Sequence, residues 1–304
     1  MHDIIIIGGG PAGLTAGLYG ARSLLKILLL ERLAPGGQVL TTDWVENYPG
    51  FPEGVSGFEL IDRMKKQAEH FGLEIRNEEV QKLELSDTQK RVYAGKEILG
   101  TKTVILCCGA NWKRLGIEGE DKLVGKGVSY CATCDGPFYR DQEVAVIGGG
   151  DTALEEAIFL TRFTKKIYLI HRRDALRGTK LLQERAKAQE KIVFLWETIP
   201  LKILGQQGVE GIELQHVRTK EISQKAVSGV FVCIGTQPNT DLVKGQLNLD
   251  REGFVKTDAD MQSSIPGVFA AGDVRAKLLR QISTAVGEGA TAAFAAEKYI
   301  ESRK

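Results

Sequence analysis

The chain has 304 residues, a length typical of two domains that are each large enough to bury a core. Hydrophobic residues make up 43% and charged residues 26%, which is ordinary for a globular protein and excludes extensive disorder. The 40 basic and 39 acidic residues leave a formal charge of +1, so we expect no broad attraction to nucleic acid or to a membrane. Five cysteines do not form the even framework of a secreted disulfide-rich domain, which favours a reducing cytoplasm.

The first predicted elements are a strand, a glycine-rich turn, a helix and a second strand. The run DIIIIGGGPAG places Gly8, Gly10 and Gly13 in G-x-G-x-x-G spacing, a helix follows to about Arg22, and KILLLE ends at Glu31. Such glycines make a tight turn, admit a pyrophosphate to the backbone and let helix and strand pack closely. A carboxylate at this spacing is typical of an acceptor for ribose hydroxyls. The pattern predicts a dinucleotide without a 2′-phosphate.

The same arrangement returns 140 residues later. Gly148, Gly150 and Ala153 follow the apolar run EVAVI, and a predicted helix leads to a second strand, KIYLI. The position that holds Glu31 in the first copy holds His171 in the second. The two copies therefore predict two dinucleotides of different type.

Three arginines come after this histidine: Arg172, Arg173 and, further on, Arg177. A carboxylate would repel a 2′-phosphate, whereas arginines bind one through charge-assisted hydrogen bonds. A solvated basic face is the alternative interpretation of HRR, but at this position in the repeat the pattern favours NADPH.

Near the C-terminus, GVFAAGDV predicts a short strand that ends close to Asp273. Its carboxylate is a suitable acceptor for the ribityl hydroxyls of FAD, although an aspartate in a turn after a strand is the open alternative. A helix is predicted from roughly residue 281 to residue 300. If its N-terminus faces a flavin, the helix stabilises the negative charge of the reduced ring.

The order of these elements predicts an α/β fold with two Rossmann-like dinucleotide-binding domains, the NADPH domain inserted into the FAD domain. We expect the FAD domain to comprise residues 1–113 and 242–304, and the NADPH domain residues 114–241. The crossings are expected near residues 109–119 and 235–243, which are rich in turn-forming residues.

The stretch VSYCATCDGPFY contains the pair Cys131 and Cys134, which suggests half a metal site, a structural staple or a redox centre. Zinc would need a second C-x-x-C or a histidine pair, and the sequence has neither, so we expect no metal. A structural disulfide across so short a loop lowers the entropy of the unfolded chain only slightly and so adds little stability. Cys107, Cys108 and Cys233 lie in apolar, strand-like runs and are predicted to be core residues. A redox pair near a two-electron donor is the interpretation that remains.

The chain resembles the low-molecular-weight bacterial thioredoxin reductases from its first strand to its last helix. The shared motifs, in the family's order, are GGGPAG, GGQ with ENYPGF, YCATCDG, GGGDTALEEA, HRRDALR, GVFAAGD and RQISTAVGEGATAA. The resemblance implies that Cys134 faces the flavin, that Cys131 attacks the disulfide of thioredoxin, and that Asp135 is the acid and base for the dithiol. A turn residue is the alternative for Asp135. The resemblance also implies a cytoplasmic homodimer.

Further cofactor contacts are implied by the resemblance alone. They are Gln38, Asn47, Arg280 and Gln281 for FAD, and Asp151 for NADPH. The chain departs from the family pattern on the flavin side. Ala276 and Leu279 stand where an acidic and an aromatic residue are common, and Glu288 replaces a frequent aspartate.

The resemblance predicts hydride transfer from NADPH to FAD, reduction of the cysteine pair and exchange with thioredoxin, with rotation of the inserted domain between half-reactions. Larger flavin disulfide reductases carry their disulfide in the first dinucleotide unit, and flavodoxin or ferredoxin reductases lack the C-x-x-C. A non-catalytic redox sensor that binds nucleotides is the alternative from a different class. Turnover of a protein disulfide with NADPH would separate enzyme from sensor.

Overall fold

The computed structural model describes residues 1–42 and 44–303. The chain divides into two compact parts. The discontinuous unit comprises Met1–Asn111 and Gln237–Lys304, and the continuous unit, Trp112–Thr236, lies between these segments in the chain. The α/β fold class predicted from the sequence, with one Rossmann-like domain inserted into another, is confirmed.

Strands and helices are numbered in chain order. The strands are β1 (His2–Ile7), β2 (Ile27–Glu31), β3 (Glu74–Asn77), β4 (Val80–Leu85), β5 (Lys90–Ala94), β6 (Glu97–Leu106), β7 (Ala110–Trp112), β8 (Val128–Ser129), β9 (Glu143–Ile147), β10 (Lys166–Ile170), β11 (Ile192–Leu195), β12 (Thr198–Leu204), β13 (Gly211–His216), β14 (Ile222–Lys225), β15 (Gly229–Val232), β16 (Thr236–Pro238) and β17 (Val268–Ala270). The helices are α1 (Pro11–Arg22), α2 (Gly57–His70), α3 (Ala132–Asp135), α4 (Asp151–Leu160), α5 (Lys180–Lys187) and α6 (Ile282–Ser302). Short 3-10 helices span Gly37–Thr41, Asp121–Leu123, Gly136–Tyr139 and Asp241–Val243.

The discontinuous unit is built on a sheet of order β3-β2-β1-β6-β5-β4, in which β17 also pairs with β6. Strand β1 lies between β2 and β6, parallel to both. Its four isoleucines are at most 5% exposed, because a central parallel strand is covered on both faces. One face carries the core shared with α1, α2 and α6, and a second core covers the other face.

The continuous unit contains a parallel sheet of order β11-β10-β9-β15-β8 and an antiparallel sheet of order β12-β13-β14. Helices α3, α4 and α5 supply residues to the core on one face of the parallel sheet. The two connections between the units contain β7 and β16, which pair with each other. Within the described part of the chain, no helix has both the length and the apolar character required to cross a membrane.

Candidate functional site

The first glycine turn, residues 8–13, joins β1 to α1. Gly8 has a φ of +106°, and a Cβ there would lie 2.3 Å from the carbonyl oxygen of Cys107. A Cβ on Gly13 would lie 1.9 Å from the carbonyl oxygen of Gly8. A Cβ on Gly10, in contrast, would meet nothing within 4 Å. Sterics therefore require two of the glycines, and the third leaves open space at the start of α1.

Glu31 is held at the end of β2 by two backbone amides. Its Oε2 accepts a hydrogen bond from the amide of Gly9 at 2.7 Å, and its Oε1 accepts one from Leu33 at 3.0 Å. The first bond ties the carboxylate to the glycine turn, which fixes its position. A carboxylate oxygen can accept more than one hydrogen bond, so this group remains able to bind hydroxyl donors.

The structure brings some of the other residues expected to bind FAD into contact with one another. The amide of Asn47 donates to Oε1 of Gln281 at 3.1 Å, and Nε2 of Gln38 donates to the carbonyl of Ala110. Gln281 also caps α6. The guanidinium of Arg280 lies 4.0 Å from the centre of the Phe254 ring, and its buried Nε has no hydrogen-bond partner among the described residues. Such an unsatisfied buried donor fits a ligand acceptor.

Asp273 follows β17 and belongs to a charged cluster. Its Oδ1 lies 3.0 Å from Nζ of Lys277, which also lies 3.4 Å from Oε2 of Glu288. Glu288, one of the departures from the family pattern, further pairs with Arg275 at 2.9 Å and accepts the amide of Gly272 at 2.8 Å. Its carboxylate is therefore committed within the cluster. Nothing in the structure explains the residues at positions 276 and 279.

The second glycine turn, residues 148–153, joins β9 to α4 and repeats the first. A Cβ on Gly148, which has a φ of +156°, would lie 2.4 Å from the carbonyl oxygen of Cys233. A Cβ on Gly150 would again meet nothing within 4 Å. Asp151 begins α4, and its Oδ1 accepts the amide of Thr179 at 2.6 Å.

The two turns fit dinucleotides on physical grounds. Gly10 caps α1 and Gly150 caps α4, and neither helix has a side-chain cap at its N-terminus. The open space at both capping glycines lets an anion approach the uncapped amides, as a bound pyrophosphate requires.

His171 is buried beneath the second glycine turn. A Cβ on Gly149 would lie 2.3 Å from the His171 ring, and the ring Nε2 lies 3.1 Å from the carbonyl oxygen of Ala175. Burial lowers the pKa of His171, and the neighbouring arginines lower it further. The imidazole is therefore neutral near pH 7, and its ring supports the turn.

The three arginines predicted to bind a 2′-phosphate are exposed. Arg172 and Arg173 follow directly after the strand β10 and His171. The amide of Arg177 donates to the carbonyl of Gly149 at 2.7 Å, which anchors its backbone at the turn. Across residues 1–42 and 44–303, none of the three forms an ion pair with an acidic side chain.

Cys131 and Cys134 form a disulfide, with their Cα atoms 5.3 Å apart. Cys131 caps α3, and its Sγ accepts the amide of Cys134 at 3.2 Å. The Cys131 amide donates to Oγ of Ser129 at 3.1 Å. Burial raises the pKa of the Asp135 carboxyl, and the hydrogen bond from Ser129 partly opposes this shift. A carboxyl with a raised pKa therefore lies directly after the pair in the chain.

A second carboxyl near the pair was missed in the sequence. Oε2 of Glu156, on α4, accepts a hydrogen bond from the amide of Ala132, the residue after Cys131. Burial is the main reason that the pKa of Glu156 is raised to about 7. The sequence alone assigns no role to the two glutamates of GGGDTALEEA. The repeat held a signal, however, because the corresponding position of the first copy is Ala16.

The other three cysteines follow strands. Cys107 and Cys233 are 5% and 8% exposed, which confirms the prediction that they are core residues, and Cys108 is half-buried. Burial raises the pKa of all three thiols, that of Cys108 to about 12. These thiols are therefore protonated at neutral pH and poorly nucleophilic.

Comparison with known proteins gives one consistent family. The family described as pyridine nucleotide-disulphide oxidoreductase matches residues 2–289. A thioredoxin reductase of Mycolicibacterium smegmatis is 49% identical over 301 residues, which cover 99% of this chain and 97% of the relative.

Solved structures show the same likeness. The thioredoxin reductase of Streptococcus pyogenes MGAS5005 is 46% identical and superposes with a TM-score of 0.95 over 99% of both chains. The FR conformation of the Lactococcus lactis thioredoxin reductase is 44% identical, with a TM-score of 0.68 over 99% of this chain and 100% of the other. The resemblance drawn from the motifs is thus confirmed. The chain belongs to the pyridine nucleotide-disulphide oxidoreductase family.

Proposed function

We propose that the chain is an NADPH-dependent thioredoxin-disulfide reductase, with FAD as its second cofactor. The observation that carries this proposal is the Cys131–Cys134 disulfide, followed at once by Asp135, in a chain with two dinucleotide turns. The thioredoxin reductases among its relatives match it along nearly the whole chain.

The two turns would hold different cofactors. For FAD we assign the first glycine turn, Glu31 and the contacts around Asp273 and Arg280, where a buried donor lacks a partner. For NADPH we assign the second glycine turn with the exposed arginines, because a 2′-phosphate needs positive charge where a 2′-hydroxyl needs a carboxylate. Bound FAD supplies the two-electron link between a nicotinamide and a disulfide.

The cysteine pair exchanges with thioredoxin in two steps. The thiolate of Cys131 attacks the thioredoxin disulfide, which forms a mixed disulfide and releases one thioredoxin sulfur as a thiolate. Cys134 then attacks the Cys131 sulfur, which re-forms the intramolecular disulfide and releases the second thioredoxin sulfur. Asp135 gives and takes the proton. Its raised pKa supports this role, since it keeps a proton on the carboxyl at a higher pH than usual.

We further propose that the continuous unit rotates about its two connections, so that the disulfide and the nicotinamide use the flavin in turn. Two relatives of nearly equal identity support this: one superposes closely on this chain and the FR conformation of the other does not. A cross-link between the units should leave one half-reaction and stop turnover. Full turnover in the locked protein would reject rotation.

The enzyme is proposed to be a cytoplasmic homodimer. Light scattering during gel filtration measures the mass of the assembly. A dimer should have twice the 33.3 kDa mass of the chain. A monomer at working concentrations would contradict it.

The deciding experiment has two parts. The absorbance spectrum of the purified protein should contain flavin bands that bleach on titration with NADPH, and a colourless protein would remove the FAD assignment. Oxidised thioredoxin is then added with excess NADPH. Continuous NADPH consumption supports an enzyme, whereas reduction of the flavin without turnover would favour the redox sensor.

A further inference from the structure

Glu156 is a half-buried carboxylate that the exchange steps above do not use. It lies on α4, and its Oε2 accepts the amide of Ala132, which is itself fully buried next to Cys131. Ala132 belongs to the same apolar core as Ala153, Leu154 and Ala157 of α4. The carboxylate therefore binds the backbone of the redox segment where this segment packs on α4.

The first copy of the repeat argues against a purely structural role for this glutamate. The corresponding residue of α1 is Ala16, which is fully buried in an apolar core. The helix after a glycine turn thus packs well with a small apolar residue at this position. A carboxylate at the same position loses hydration, which costs free energy. The segment with the cysteine pair packs on α4, so we expect the benefit that offsets this cost to lie in that contact.

The groups that face Glu156 are acidic or thiol groups. They are Asp135 from α3, Glu155 from its own helix, and Cys233, which follows β15. In the described ranges no lysine, arginine or histidine forms an ion pair with Glu156. Burial, with smaller contributions from Glu155 and Asp135, outweighs the Ala132 hydrogen bond and raises the pKa of Glu156 to about 7.

We propose that Glu156 is a positioning residue for the redox pair: it holds the amide of Ala132, the residue after Cys131, and its negative charge governs thiolate formation at the pair. This inference rests on the proposed function. Reduction adds two electrons to the disulfide, breaks the sulfur–sulfur bond and leaves two sulfurs that share one or two protons. An ionised Glu156 opposes the thiolate, and a Glu156 that takes up a proton as the thiolate forms removes that opposition. The two groups therefore titrate as a coupled pair.

Glu156→Gln separates the charge from the contact. Glutamine has the same shape and keeps an oxygen that can accept the Ala132 amide, but it neither ionises nor repels a thiolate. Glu155→Gln is the matched control, because Glu155 is the adjacent carboxylate on the same helix but is exposed and makes no contact with Ala132.

The test is the pH profile of thiol alkylation, which needs neither thioredoxin nor NADPH. The flavin-loaded protein is reduced with excess dithiothreitol, freed of reductant without oxygen, and pulsed with iodoacetamide from pH 5 to pH 9. Peptide mass spectrometry measures Cys131 separately from Cys134. We expect more than one step in the wild-type profile for Cys131. Glu156→Gln should lose one of these steps and move the midpoint about one pH unit lower, and any step that comes from Asp135 should stay. Glu155→Gln should keep the wild-type profile.

Three results would overturn the proposal: a single step in the wild-type protein, a Glu156→Gln profile that coincides with the wild type, or an equal shift in Glu155→Gln. A single step in the wild-type profile is enough to reject the proposal, so the test does not depend on whether the variants fold. Absence of thioredoxin turnover, in contrast, would contradict the proposed function, but the alkylation profile of the cysteine pair could still be measured.

Discussion

The two glycine turns share a backbone, and the copies of the repeat differ at several matched positions, three of which bear on packing, cofactor choice and the cysteine pair. Each begins with a glycine whose added Cβ would strike a carbonyl oxygen of the neighbouring strand's end, and each has a capping glycine with open space before it. The features that repeat are therefore steric. A tight turn whose backbone lies close to a neighbouring carbonyl oxygen allows little choice of residue. What differs is the chemistry around the turn.

The three differences lie at residues 13, 31 and 16 of the first copy and 153, 171 and 156 of the second. A glycine becomes an alanine inside the turn, a carboxylate becomes a buried histidine followed by arginines, and a core alanine becomes a half-buried glutamate. The first concerns helix packing, the second cofactor choice and the third the cysteine pair. A duplicated fold can therefore be assigned two tasks by the residues around the turn.

The largest effect should come from Cys131 and Cys134, whose segment packs on α4 of the second copy. Cys131→Ser and Cys134→Ser should each lower thioredoxin reduction by at least about a thousandfold, because the exchange needs both sulfurs. Cys131→Ser should in addition leave the Cys134 thiolate beside oxidised flavin and give a long-wavelength charge-transfer band. A band in Cys134→Ser and none in Cys131→Ser would reverse the two roles.

Gly13→Ala should damage the first glycine turn. The new methyl group would lie 1.9 Å from the Gly8 carbonyl oxygen, so helix and strand must move apart, at a cost of about 3 kcal/mol or more. We expect a lower urea midpoint and little bound flavin, measured by absorbance per protein. Ala153→Gly is the matched control and should lose only about 1 kcal/mol of helix propensity. Equal losses in the two variants would mean that the added methyl group does not strain the first turn.

The third comparison predicts a pH dependence of stability. Because burial raises the pKa of Glu156 from its usual 4.5 to about 7, the folded protein binds this proton more tightly than the unfolded chain. Stability therefore falls as the pH rises from about 4.5 to about 7 and then levels off, by at most about 3 kcal/mol. Melting temperatures of the wild type and Glu156→Gln should coincide at low pH, separate between about pH 4.5 and pH 7, and stay a constant distance apart above pH 7. Parallel curves would contradict the raised pKa.

Much of this molecule is predictable from local sequence, because strand spacing and glycine sterics act over short distances. The helix predicted to end near Arg22 does end there, and the predicted C-terminal helix spans Ile282–Ser302. The position of His171 was harder to foresee. Its ring lies under Gly149, because the backbone of the turn leaves room for it there, and only its arginine neighbours are exposed. Glu156 was missed because its burial depends on α3, which packs on α4 in the tertiary structure.

The second difference predicts a smaller, selective effect. Replacing both Arg172 and Arg173 by alanine should lower kcat/KM for NADPH by at least roughly tenfold to a hundredfold, because each charged hydrogen bond contributes about 1.5–3 kcal/mol. The kcat/KM for NADH should change little, since NADH has no 2′-phosphate to lose. Steady-state kinetics with both nucleotides, on protein that retains its flavin, makes the comparison. Equal losses of kcat/KM with NADPH and NADH would favour the alternative interpretation, in which HRR is a solvated basic face.

Arg177 should have the smallest effect of the same kind. Its backbone is anchored to the second glycine turn by the 2.7 Å bond to Gly149, and its exposed side chain starts beside the space before Gly150. Because it comes later in the chain than the arginine pair, we expect it to assist at the edge of the phosphate site, and Arg177→Ala to reduce NADPH use by only a few-fold. The Gly149 bond uses the main-chain amide, so the variant keeps it and the turn should not move. Arg177→Lys tests the geometry: it keeps the charge but loses the planar fork, and should recover part of the loss. A larger loss in Arg177→Ala than in the Arg172 and Arg173 double variant would place the 2′-phosphate on Arg177 instead.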